Sequence, residues 1–144
     1  MLNNSAISWK AKKQTSIARS TVESEAIALS DTTAEAIWLN EIKTEIKSSV
    51  QNKKIKIACD NSGALQLAST GSTTGKTKHI GVRVQYLKEK ESEVEFYKVN
   101  TENNPADIFT KLLGRSKFED FRSQVGLLNL GDVSRTTDNS QVIE

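Results

Sequence analysis

Lys54-Ile55-Lys56-Ile57-Ala58-Cys59-Asp60-Asn61-Ser62-Gly63-Ala64 decides the fold class. Its first six residues are β-branched and compact, the pattern of a strand. The strand stops at Asp60-Asn61, and a short helix takes over from Ser62 to about Ala68. Working outward, Ile7, Trp9 and Ala11 alternate with Ser8, Lys10 and Lys12, which predicts a half-buried strand over 7–12. Ser20-Thr21-Val22-Glu23 forms a capping box, with the Ser20 hydroxyl placed to accept from the Glu23 amide. No Gly or Pro follows before Lys47, and Trp38, Ile42 and Ile46 recur every four residues, so a long amphipathic helix is expected. Asp31-Thr32-Thr33 lowers helix propensity locally and allows a kink or a split there.

Beyond the decisive stretch, residues 69–78 are rich in Gly, Ser, Thr and Lys and read as a loop. His79 to about Lys90 returns to helix with Ile80, Val84 and Leu87 on one side, and Glu93 to Val99 alternates as a strand should. Pro105, the sole proline, suits the first position of a helix over 105–113 that Gly114 ends, and 117–125 reads as another helix. Residues 131–144 are polar without periodicity and are expected to be a disordered tail behind a domain spanning 1–130. Strands and helices alternate, so the class is α/β.

The 144 residues suit one domain and are 36% hydrophobic and 26% charged. No apolar run approaches the roughly 20 residues a membrane span needs. The first 20 residues lack the charged-then-apolar pattern of a signal segment, so a cytoplasmic or nuclear location is expected rather than secretion. With one cysteine (Cys59) and one histidine (His79), no internal disulfide and no cysteine- or histidine-based zinc cluster can form. A metal would have to be held by oxygen, which points to magnesium or manganese. The net charge of +2 is uninformative, but its distribution is not. Residues 1–22 hold four bases and no acid, and residues 71–90 hold Lys76, Lys78, Arg83, Lys88 and Lys90 against Glu89 alone. Such basic segments are either solvated surface or a nucleic-acid contact.

Three carboxylates stand out. Glu25 shares a helix face with Val22, Ala26 and Leu29, while Glu23 points about 200° away and can stay in water. Asp60 stands at the C-terminal end of a strand, where open α/β sheets place their ligands. Asp107 lies in the first turn of a helix. Each also has a plainer reading: Glu25 half-exposed at a helix start, Asp60 capping the following helix, Asp107 answering the helix dipole.

Together they form a set. Ile7-Ser8-Trp9-Lys10-Ala11-Lys12-Lys13-Gln14 followed by Ser20-Thr21-Val22-Glu23-Ser24-Glu25-Ala26-Ile27-Ala28-Leu29 resembles a block of the ribonuclease H domain of copia-type LTR retrotransposons, the yeast Ty elements included. Cys59-Asp60-Asn61-Ser62-Gly63-Ala64, Thr77-Lys78-His79-Ile80 and Ala106-Asp107-Ile108-Phe109-Thr110-Lys111 are similar to later blocks of that family, in the same order. Ala26, Gly81 and Leu112 depart from it, standing where the family has Tyr, Asp and Pro. The resemblance implies a ribonuclease H fold that cuts the RNA strand of an RNA–DNA hybrid with two Mg2+ ions. It makes Glu25, Asp60 and Asp107 three of the family's four metal-binding carboxylates, meeting at one edge of the sheet. Lys76, Lys78 and Arg83 would follow the hybrid's phosphates, a salt-sensitive contact. His79 stays open between a structural and a catalytic role.

In the family the first metal-binding aspartate and two strands precede the Ile7 block, yet no Asp or Glu precedes Glu23 here. Asp31 lies on the opposite side of the helix from Glu25 and cannot substitute. The expectation is an N-terminally truncated polyprotein remnant, a decayed element, whose incomplete ribonuclease H-like fold has a mixed sheet lacking its first two strands between flanking helices. Such a chain would be inactive alone, weak or absent in hybrid binding, marginal in stability and prone to self-association through an exposed sheet edge. The alternatives are a non-catalytic nucleic-acid-binding module, or a nuclease completed by strands from another chain.

Overall fold

The structure, a computed structural model, describes residues 5–47, 53–73, 75 and 77–127, which fall into two compact units. The unit Gln14–Asn103 holds α1 (Thr21–Lys47), β1 (Ile55–Cys59), α2 (Ser62–Thr70), α3 (Gly81–Glu89) and β2 (Val94–Lys98). The unit Met1–Lys13 with Asn104–Glu144 holds a 3-10 turn (Pro105–Phe109) and α4 (Arg115–Gln124). The α/β class stands, as four helices and a two-stranded parallel sheet among the described residues.

Parallel strands need a crossover, and α2 with α3 supplies it between β1 and β2. The register pairs Ile55 with Val94, Ile57 with Phe96 and Cys59 with Lys98. Alternation then sorts the side chains. Ile57, Cys59 and Val94 are buried, while Lys56 and Glu95 lie opposite one another on the bare face at 3.9 Å. The buried face joins Ala26, Ile27 and Leu29 of α1, Ala64 and Ala68 of α2, Ile80, and Val84 and Leu87 of α3 in one apolar cluster.

α1 is unbroken through Asp31-Thr32-Thr33. Thr33 is buried there, and its hydroxyl donates to the Leu29 carbonyl at 2.8 Å, which keeps a β-branched polar side chain inside a helix. The core-facing stripe differs from the expected one. It runs through Glu23, Ala26, Ile27, Ser30 and Thr33, whereas Trp38 and Ile46 are 53% and 77% exposed. Of the every-four set, Trp38 and Ile46 are exposed and Ile42 is half-buried, so this face is not the one that packs into the core.

Two expected elements do not form. Residues 7–12 are not a strand: Ile7 and Trp9 are exposed, and the segment has no ladder partner. Period-two alternation makes a strand only where another strand takes up its backbone groups. Instead the Ala6 N–H donates to the Val125 carbonyl at 2.9 Å, and the Trp9 ring stacks on Phe109 at 6.3 Å between centroids. Among the described residues the sheet is therefore two-stranded and parallel rather than a mixed sheet. The helix expected over 105–113 is the five-residue 3-10 turn, with Pro105 at its start as anticipated. So short a run cannot repay the cost of nucleating an α-helix. The tail 131–144 lies outside the described residues.

α1 and α2 cross closely at Gly63, where an added Cβ would stand 2.8 Å from Val22 Cγ2 and 3.0 Å from Cγ1. Gly71, at φ 65, ends α2 in the left-handed region, with its N–H on the Leu67 carbonyl. Gly63→Ala is expected to destabilise the chain by about 1–2 kcal/mol, the overpacking outweighing alanine's helix propensity. Chemical denaturation checks this. The loss should vanish when Val22→Ala is added, because the clash is with the valine branch.

Candidate metal centre

β1 ends at Cys59, whose carbonyl accepts from the Val99 N–H and so carries the ladder to the last residue before Asp60. α2 begins immediately afterwards, and its cap is Asn61, whose Oδ1 accepts from the Ala64 N–H at 3.1 Å. Asp60 is thus not the cap. Its carbonyl is held by the Lys98 ammonium, and its carboxylate is left for other work. On α1, Ser20 caps the helix as expected, accepting from the Glu23 N–H at 3.2 Å. Glu25 follows in the first two turns, half-buried.

These two starts bring Glu25 and Asp60 together across 35 residues of sequence. Their carboxylate oxygens and the Cys59 sulfur all lie within 4.8 Å of one another. Burial raises the Cys59 thiol above its ordinary pKa, and the charges of Glu25 and Asp60 push it further the same way. The hydrogen bond from the Asn61 backbone and the Lys98 ammonium pull against them without prevailing. A hard divalent cation prefers oxygen to sulfur, so the carboxylates of Glu25 and Asp60 are the donors that suit one, at about 2.0–2.1 Å per bond. The donor set fits such an ion. Counting cysteines set sulfur aside because one Cys cannot build a zinc site; the fold nonetheless places that Cys beside the carboxylates. Strand alternation carried the signal, since Cys59 shares the inner face with Ile57.

The acid nearest by is where expectation and structure differ. Glu23 is not in water: it is 2% exposed, and Glu25 is the more open of the two. Glu23 Oε2 accepts from the Arg19 N–H at 2.5 Å, and the His79 Nε2 lies 3.3 Å from the same oxygen. The expected capping box therefore reaches one residue further back than Ser20. The stripe Glu23, Ala26, Ile27, Ser30, Thr33 has helical spacing, and that spacing is the sequence signal that places Glu23 inside.

Of the basic residues, Lys78 is exposed, whereas the Arg83 guanidinium is already bonded to the Asp31 carboxylate across helices. Lys76 lies outside the described residues. Asp107 belongs to the other unit, in the first turn of its 3-10 helix as expected, 6% exposed, with its carboxylate accepting from the Lys111 ammonium at 2.9 Å.

An α/β chain with a carboxylate pair at a strand's end is the class that fold and site define. Comparison with known proteins narrows it. Over 124 residues the chain is 36% identical to the retrovirus-related Pol polyprotein from transposon TNT 1-94 of Nicotiana tabacum, covering 85% of this chain and 9% of that protein. It is 30% identical over 128 residues to the retrovirus-related Pol polyprotein from transposon RE1 of Arabidopsis thaliana, covering 88% of this chain and again 9% of the relative. The polyprotein from transposon RE2 of the same plant is 28% identical over 131 residues. The chain thus resembles plant retrotransposon Pol polyproteins over most of its own length and spans only 9% of theirs. No protein-family model and no solved structure matches it. Among the described residues no helix is long and apolar enough to cross a membrane.

The clustering of Glu25, Asp60 and Cys59 has a metal-free readout. Glu25→Gln and Asp60→Asn each remove a negative charge facing the thiol, so the pH profile of Cys59 alkylation in the folded chain should shift to lower pH in both. Profiles identical to that of the unaltered chain would mean the three groups do not share one site.

Proposed function

We propose that this chain is a ribonuclease H-type portion of a retrotransposon Pol polyprotein, with Glu25, Asp60 and Asp107 as its Mg2+-binding carboxylates. The observation that carries the proposal is the meeting of Glu25 and Asp60 at the end of β1, two residues whose sequence blocks match that family independently. Bound magnesium ions would supply an activated water and stabilise the leaving 3′ oxygen of the cut RNA. Glu25 and Asp60 would hold a cation from a helix and a strand end, and Lys98 secures the Asp60 backbone. Asp107, whose carboxylate pairs with Lys111, would be the third such carboxylate. Lys78 offers its charge to the hybrid's phosphates, whereas Arg83 does so only by releasing Asp31.

The resemblance assigns three metal-binding carboxylates among these 144 residues, Glu25, Asp60 and Asp107. The purified chain should bind Mn2+ in the Glu25–Asp60 site, with Asp60→Asn weakening binding by at least about tenfold, the usual cost of losing a metal-site group. It should not cleave a labelled RNA–DNA hybrid at millimolar Mg2+. Turnover that Asp60→Asn abolishes would overturn the inactivity, and a loss of Mn2+ binding in neither Glu25→Gln nor Asp60→Asn would overturn the site. Hybrid retained without cleavage, and released by salt, would assign the chain as a non-catalytic binding module instead. Neither outer edge of the two-stranded sheet pairs with another strand among the described residues, so self-association through strand pairing is expected. Sedimentation at increasing concentration measures it, and a strict monomer would contradict it.

A further inference from the structure

Glu23 is a buried carboxylate that the proposed chemistry does not use. Burying an acid is costly unless its oxygens are engaged. Here one oxygen accepts from the Arg19 N–H just before α1 and meets His79 Nε2 at 3.3 Å. His79 stands in the 3-10 turn Lys78–Ile80 that opens α3, and its neighbour Ile80 is buried in the core cluster. One carboxylate thus ties the approach to α1, the first turn of α1 and the start of α3. Glu25 is two residues further along the same turn, where the backbone is already helical, with the Ser24 N–H on the Ser20 carbonyl. Orienting that turn orients Glu25.

We propose that Glu23 and His79 are positioning residues: their link sets the first turn of α1 so that Glu25 presents its carboxylate to the cation shared with Asp60. This assigns His79 a supporting role rather than a catalytic one, and it rests on the cation-site reading above. The imidazole is 33% exposed, so it can be replaced without opening the core.

The test uses the full chain and compares His79→Ala, His79→Gln and Glu23→Gln with the unaltered protein. Mn2+ affinity is read by electron paramagnetic resonance and folding by circular dichroism. His79→Ala should weaken Mn2+ binding by about tenfold, the lower end of what the loss of a supporting partner costs a metal site. His79→Gln, whose amide can still donate to Glu23, should recover most of it, which a general loss of stability would not do. Amide exchange at Ser24 and Glu25 should quicken in His79→Ala and slow again in His79→Gln, with or without metal. Unchanged Mn2+ affinity and unchanged exchange in a folded His79→Ala would overturn the positioning role. If the unaltered chain binds no Mn2+, the cation-site reading fails and this role falls with it, while the exchange data still report whether the strap orders α1.

Discussion

The parallel pairing of Ile55–Cys59 with Val94–Lys98 is the constraint on which the rest depends. A parallel ladder cannot close through a tight turn, so the chain between the strands must cross over, and it does so as α2 and α3. That crossover places Ala64, Ala68, Val84 and Leu87 over the sheet's inner face, and α1 completes the cover with Ala26, Ile27 and Leu29. Small residues let the helices approach closely, as at Gly63 and Val22. The same ladder carries β1 to Cys59 and therefore sets where Asp60 stands.

Charge follows packing. Several acids of this chain have a named partner: Glu23 accepts from the Arg19 backbone N–H and meets His79, Asp31 pairs with Arg83, and Asp107 pairs with Lys111. Glu25 and Asp60 lie next to one another, and their joint field is felt by the buried Cys59 thiol. Two like charges drawn together at a strand's end, with a helix start on either side, are the part of the molecule that packing alone does not account for.

The outward surfaces show how little of α1 the core uses. Its first half lies in the apolar cluster, while Trp38 and Ile46 in its second half are open, as is the face of the sheet carrying Lys56, Glu95 and Tyr97.

Much was legible in sequence. The strand 54–59, its break at Asp60, the Ser20 cap, the helix through 21–47, the Ile80-Val84-Leu87 face and Pro105 at a helix start are all local matters of periodicity, caps and backbone donors, and they form as read. What depended on distant partners was not. Residues 7–12 have the alternation of a strand but no ladder, and Trp38, Ile42 and Ile46 have the spacing of a core stripe, yet Trp38 and Ile46 are exposed. Glu23 and Glu25 sit two residues apart, and no helical wheel says which of two flanking faces the sheet and α3 will take. Tertiary packing decided that, burying Glu23 against His79 and leaving Glu25 to meet Asp60 and Cys59. The sequence alone determined which residues start, stop and line each element, because those rules act within a few residues. Only the fold decided which charges share a space, because that depends on what packs against what.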